Sequence, residues 1–382
     1  MKKVGTWCAI FLILFSCLSL GAGAEEPDIA TESEAIANEL ADWQNAIPGE
    51  VAALLPEGFF SKDITEVAAG VKEASGFSAV LSVIGRLTGL SLGKNLAMLA
   101  SICGILCLSA LFRALSAGQL QGAGRALGFC GSLALAVLLF SQQRDRFHEI
   151  EVFFSVMQSL GVAMVPLMGA LYAMGGNVGA AVANQGVMSA FLAILETLCS
   201  AGVLPIAGIC LAFALIDALS GNLNLRPLAG FIKRTYTLCL SFLMLLLCGV
   251  LGVQSTLAKA GDTLALRTAR FAAGSFLPVV GGSVSEALRT VAGSVSYLRG
   301  VVGSGGIVVL FFAFLPTFLS VLLTRVVFLL STSAAKLLGC EGEEKILTEL
   351  GSVYGYFLAV IASLFVMMVF SLTLFARCAT AG

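Results

Sequence analysis

Long apolar runs constrain this chain more than any other feature of its sequence. Several of them approach the roughly 20 residues that a helix needs to cross the hydrocarbon core of a bilayer. The composition agrees, since 58% of the residues are hydrophobic and only 12% are charged. Such a composition is typical of polytopic membrane proteins and excludes a soluble enzyme. We therefore predict an all-α, polytopic membrane protein.

Charge argues against one class of partner. The formal net charge is −1 at pH 7, and no block of Lys and Arg residues is present that would follow a nucleic-acid backbone. Nucleic acid is therefore excluded as a partner, whereas membrane lipids are expected ones.

The first 24 residues have the form of a secretory signal peptide. Lys2 and Lys3 precede an apolar core, and small residues at 22–24 precede an acidic segment. Cleavage is expected after Ala24, which would leave an extracytoplasmic N-terminus. The alternative is lipid attachment at Cys17, which follows a loose lipid-attachment box.

Residues 25–92 are predicted to form an acidic extracytoplasmic segment. Eleven of the 23 acidic residues lie between positions 25 and 66. Within this segment four apolar residues recur at helical spacing, which predicts a short amphipathic helix: they are Ile36, Leu40, Trp43 and Ile47. The helix would pack on a partner or on the rest of the segment; a loosely folded spacer is the other interpretation.

The remaining apolar runs predict about seven membrane crossings. The first two, residues 95–112 and 126–141, form a transmembrane hairpin within residues 93–149. Arg113 and Arg125 lie in its connecting loop with no acidic residue, so that loop is expected to be cytoplasmic. Residues 142–151 are interpreted as a loop on the export side. Further crossings are expected at 152–174, within 187–219, at 235–253, at 307–324 and at 351–376.

A proline pattern suggests an internal repeat of residues 150–260 in residues 261–382. Pro166 and Gly169 recur 112 residues later as Pro278 and Gly281, and Pro205 recurs 111 residues later as Pro316. Repeats with prolines at corresponding positions are how many transporters build broken helices, so these six residues are candidate hinge or helix-break positions. Proline-kinked spans are also common in ordinary membrane bundles, and that alternative stays open.

Glu196 is the candidate intramembrane polar residue, because it lies well inside an apolar run. A carboxylate there marks either a transport pathway or a structural hydrogen bond. His148 is the only histidine, and the glycine-rich residues 300–306 lack the Lys-Ser/Thr pair of a phosphate loop. We therefore expect no catalytic residue, no metal site and no cofactor, and hence no enzyme.

One stretch of the sequence resembles a known family. Residues 249–288 contain in order a Gly-Val…Val-Gln turn, Asp262, the run Leu-Arg-Thr-Ala-Arg-Phe with Arg267 and Arg270, and a Phe-x-Pro-Val-x-Gly break. This order resembles the signature region of the stage III sporulation protein AE family. The signal sequence and the final apolar span fit the same family along the whole chain.

The resemblance implies a role in endospore formation. Members are multi-pass proteins of the mother-cell-derived outer forespore membrane. They are encoded with a secretion-type ATPase, ring-forming proteins and small membrane subunits. Together these are expected to form a channel or secretion-like complex that joins mother cell and forespore, with the energy supplied by the ATPase. The resemblance implies no catalytic residues.

Two functions remain open at this point. In the first, the chain is a channel subunit, and Arg267, Arg270 and Asp262 form a docking element, since the two arginines lie one helical turn apart. In the second, it is a stand-alone permease that moves a small solute through a cavity at the broken helices and Glu196.

Overall fold

The architecture is a bundle of long helices in a computed structural model. The structure describes residues 41–61, 64–116, 121–174, 178–198, 202–220, 225–246, 249–250, 252–253 and 281–377. After the short helix Gly49–Ala52 and the 3-10 turn Glu57–Phe60 come eight longer helices. They are α1 (Ile64–Ala74), α2 (Phe77–Ser116), α3 (Gln121–Met174), α4 (Val178–Leu198), α5 (Leu204–Ser220), α6 (Arg226–Leu246), α7 (Gly281–Leu337) and α8 (Glu341–Arg377).

Five of these helices are long and apolar enough to cross a membrane. The apolar stretches are Phe77–Ala114, Phe129–Gly169, Arg226–Leu246, Gly300–Leu337 and Glu341–Thr373, and two shorter apolar helices cover Gln185–Leu195 and Leu204–Ala218. No strand occurs in the described ranges. The prediction of an all-α polytopic membrane protein is confirmed. The count of about seven crossings and the division into two repeats stay predictions.

The predicted loop at residues 142–151 is wrong, because α3 runs through it as one helix of 54 residues. Gln143, Arg146 and Ile150 point into the bundle, whereas Arg144 and His148 point outward. The charges were interpreted as a loop, but the spacing of three and four residues between Gln143, Arg146 and Ile150 places these three on one inward helical face. The helix also crosses the boundary at 149/150 between the predicted hairpin and the first repeat.

The three described prolines of the repeat pattern occupy two kinds of helical position. Pro166 lies inside α3 and Pro316 inside α7, so the helix breaks expected at these two residues are not present. Each proline only removes one backbone hydrogen bond from a helix that continues on both sides. Pro205, in contrast, is the second residue of α5, where its fixed φ suits a helix start. The pair Pro205 and Pro316 therefore lies in unlike settings, at a helix start and inside a helix.

Helices α7 and α8 form the centre of the bundle, and α2, α3 and α5 pack around them. Aromatic rings fill their interface: Phe314 stacks on Phe365 with centroids 4.2 Å apart, and Phe328 packs on Tyr354. Burial of this kind stabilises the bundle by close packing, since helices in lipid gain little from the hydrophobic effect.

The described part of the predicted extracytoplasmic segment is folded onto this bundle. Trp43 and Ile47 are both buried, and the Trp43 ring lies 5.9 Å from that of Phe59. Phe59 and Val71 in turn contact α7 at Gly305. The interpretation of a loose spacer therefore does not hold for residues 41–61; they pack on α1 and α7. The first part of the predicted amphipathic helix, with Ile36 and Leu40, lies outside the described residues.

Candidate functional site

Several of the sequence-predicted site residues lie outside the described residues: Asp262, Arg267, Arg270 and Pro278. Gly281 is the first residue of α7. Glu196 lies in the last turn of α4, where the backbone alone is described. The docking element therefore remains a prediction.

Gly169 has a packing role that the sequence did not indicate. The Gln185 side chain of α4 lies directly over its Cα, in the space that any Cβ at this position would need. Glycine here lets α4 approach α3 closely, as small residues do in membrane bundles. A hinge at Gly169 is not required to explain why glycine occupies this position.

Several charged side chains inside the bundle instead form interhelical ion pairs, and these are the candidate site. The first cluster joins α2 to the start of α8. Arg113 Nη2 donates to Glu343 Oε2 at 2.7 Å, and Ser109 Oγ donates to Glu343 Oε1 at 2.6 Å. Arg113 Nη1 also donates to the Gly339 carbonyl at 3.0 Å. The Glu343 side chain is fully buried, so both of its oxygens are satisfied where an unpaired carboxylate would be costly.

The turn before α8 explains how Glu343 reaches this position. Gly339 has a φ of +68°, a left-handed conformation that glycine adopts without a Cβ clash and that ends α7. Cys340 is buried beside Glu343. Burial raises the pKa of the Cys340 thiol, and the Glu343 carboxylate raises it further, while Arg113 lowers it. Cys340 is thus a packing thiol with no sign of an activated nucleophile.

A second cluster surrounds Asp217 at the end of α5. Its side chain is 2% exposed and lies 3.4 Å from Arg226 Nε and 3.9 Å from Lys345 Nζ. Lys345 Nζ also donates to the Asp217 carbonyl at 3.3 Å. Asp217 is therefore the point where α5, α6 and α8 meet.

A third pair joins α6 to α8 further along α8. Lys233 of α6 donates to Glu349 of α8, and its ammonium also donates to Ser352 Oγ at 2.7 Å. The Lys233 and Glu349 side chains are each 7% exposed. Buried pairs of this kind fix which helices meet, because breaking one strands a charge in an apolar setting. Sequence reasoning missed this pair; the signal available was two opposite charges that each border an apolar run.

A polar layer crosses the bundle near the middle of α3. Arg146 Nη1 donates to Ser320 Oγ at 2.6 Å and to Glu149 Oε2 at 3.1 Å. The Tyr354 hydroxyl donates to Gln143 Oε1. In the same region Thr324 Oγ1 donates to Asn95 Oδ1 at 3.2 Å. These bonds tie α2, α3, α7 and α8 together.

One crevice in the described part of the bundle is too small to hold a solute. A crevice beside Gln143 is otherwise lined by apolar side chains such as Leu139 and Leu211. Its water-accessible volume is only about 10 Å³. That space suits about one water molecule and no solute. Within the described ranges, no three His, Cys, Asp or Glu residues are grouped so that they could hold a metal ion.

Comparison with known proteins identifies the relatives of the chain. A family model described as Stage III sporulation protein AE matches residues 60–379. A curated protein, Stage III sporulation protein AE of Bacillus subtilis (strain 168), is 27% identical over 154 residues. The aligned segment covers 40% of this chain and 39% of that protein's length. No solved structure matches the chain.

Proposed function

The chain belongs to the stage III sporulation protein AE family, and from this membership we propose that it is an integral membrane component of a channel or secretion-like complex required for endospore development. In this proposal the complex joins mother cell and forespore, and the chain lies in the mother-cell-derived outer forespore membrane with its N-terminus extracytoplasmic. The signal sequence supports that orientation, as do Arg113 and Arg125, which lie near the facing ends of α2 and α3 with no acidic residue between them.

The observation that carries the proposal is the family match across residues 60–379, which include all five apolar helices long enough to span a membrane. The interior of those helices supports a scaffold role. Glu343 and Glu349 are each paired with a cation from another helix, so these carboxylates are held in structural contacts. A permease would need polar groups that face a water-filled path.

The chain is proposed to be non-catalytic. Its sequence contains no Lys-Ser/Thr phosphate loop with which to bind a nucleotide. A secretion-type ATPase is therefore the proposed energy source, with ring-forming proteins and small membrane subunits as further partners. Arg267 and Arg270 are the proposed docking residues for acidic groups of one of these partners or for lipid phosphates.

Spore formation in variants tests the proposal against the permease alternative. In a spore-forming host that lacks its own copy, we expect Arg267→Ala/Arg270→Ala to reduce the yield of heat-resistant spores by more than about tenfold, because the docking charges are lost. Glu196→Gln is expected to sporulate normally. The reverse result, with only Glu196→Gln defective and solute uptake by the purified protein in vesicles, would support the permease.

A further inference from the structure

Arg325 differs from the other cations in the core of the bundle. It lies in the second half of the apolar stretch Gly300–Leu337 of α7 and is partly buried. Its Nε is fully buried and has no hydrogen-bond partner, and no ion pair to Arg325 occurs in the part of the chain that the structure describes. By contrast Arg113, Arg146 and Lys233 each contact a carboxylate. Among the described residues, Arg325 is therefore a partly buried cation for which no anionic partner is seen.

The guanidinium of Arg325 is held in place by the neighbouring helix. It lies flat against Gly355 of α8, where a Cβ would come within 3.1 Å of Arg325 Cζ and 3.2 Å of Nη2. The side chain is consequently folded over Gly355 in the groove between α7 and α8. An arginine that only reached toward lipid headgroups would not need glycine at this point.

The floor of this groove is made of small residues on the outward face of α8: Ser352, Gly355, Ala359 and Ser363. They recur every three or four residues and are partly or fully exposed. Ser363 Oγ donates to the Ala359 carbonyl at 2.7 Å, so its hydroxyl is satisfied within its own helix. Small residues at this spacing allow another helix backbone to approach closely in a membrane.

Two features of the groove indicate what kind of molecule it binds. The small floor fits a closely packed helix better than flexible acyl chains, which gain nothing from a shallow groove. The unpaired guanidinium requires an anion at the same height, and a carboxylate on that helix supplies it with bidentate geometry. Lys233, which borders the groove at Ser352, is already neutralised by Glu349 and does not compete for that carboxylate.

We propose that the α7–α8 groove, defined by Arg325, Ser352, Gly355, Ala359 and Ser363, binds a transmembrane helix of a different subunit that carries an Asp or Glu opposite Arg325. The inference rests on the proposed function, because it assumes that the chain works inside an assembly. It adds the place and the chemistry of one contact, on residues separate from the docking arginines Arg267 and Arg270.

Photo-crosslinking in sporulating cells identifies the molecule that binds in the groove. A photo-reactive amino acid replaces Val366, which is 40% exposed and continues the face of Ser363; a matched control replaces Val137, which is 65% exposed on α3. We expect the Val366 position to capture an apolar peptide with an acidic residue from another stage III protein. Ala359→Leu should lower the yield by roughly tenfold or more. Adducts with lipid only, or with a second copy of this chain only, would overturn the proposal.

Charge reversal tests the ion pair itself. Arg325→Glu should abolish the crosslink and spore formation, and an Arg in place of the partner's captured carboxylate should restore both. A purely structural role of Arg325 would not be rescued from another protein. If rescue fails while other stage III proteins still co-purify with the wild-type chain, the groove proposal is wrong and the proposed function stands. If nothing co-purifies with the wild-type chain, both fall.

Discussion

The buried pair of Lys233 and Glu349 gives the sharpest test of the bundle's interior. Glu349→Gln would leave an ammonium without its carboxylate at a site where both side chains are only 7% exposed. Removing one partner of such a pair typically costs about 3–5 kcal/mol. Because Ser352 Oγ still accepts from Lys233 at 2.7 Å, we expect the lower end, about 3 kcal/mol. That is about a hundredfold in the folding equilibrium.

The double variant Lys233→Met/Glu349→Leu separates charge from packing. Replacing both charges with apolar groups of similar size is commonly neutral or stabilising, so its stability should return to within about 1 kcal/mol of wild type. Unfolding of the detergent-solubilised protein by increasing SDS, followed by helical circular dichroism, measures the free energies. Lys336→Met is the control, because the Lys336 side chain is 61% exposed in its pair with Glu344 and should contribute at most about 1 kcal/mol. A double variant as unstable as Glu349→Gln would refute the reasoning.

Three further predictions concern other regions. Gly70→Ala should destabilise by about 1–3 kcal/mol, because its Cβ would lie 2.8 Å from the Phe59 amide nitrogen. Gly85→Ala meets no atom within 4 Å and should be neutral or stabilising in the same SDS unfolding assay. Trp43→Ala should destabilise the packing of residues 41–61 by about 3–5 kcal/mol and make them more sensitive to added protease; an unchanged cleavage rate would contradict the described burial. Alkylation of Cys340, followed by mass spectrometry, should begin at a higher pH than for an ordinary thiol, because burial raises its pKa, and Arg113→Gln should shift the onset higher still; onset below pH ~8.5 would contradict this.

Hydropathy predicted much of the fold, because a crossing helix must be apolar over its whole length. Trp43 and Ile47 were also predicted from their spacing to lie on an apolar helical face, and both are buried. What the spacing could not supply was the surface they meet. Gly305 of α7, which contacts Phe59 and Val71 of the predicted extracytoplasmic segment, is more than 200 residues away in the chain.

The ion pairs could not be predicted for a related reason. Lys233 and Glu349 are 116 residues apart, and Ser109 and Glu343 are 234 apart, so no local pattern links them. Each charge borders an apolar run, where a residue at the end of a span is the ordinary interpretation. Only the packing of α6 and α2 against α8 shows that these residues are partners. The prolines were misleading for the opposite reason: Pro166 and Pro316 are strong local signals that the neighbouring helices override.

The composition of the native assembly tests the central claim most directly. The tagged chain would be extracted with a mild detergent from sporulating cells, and the mass and components of the purified particle determined by native mass spectrometry. The account predicts a particle much larger than the 39.5 kDa chain that contains the secretion-type ATPase and other stage III proteins, and that loses them in Arg267→Ala/Arg270→Ala. A chain that purifies alone, from cells in which those proteins are present, would contradict it.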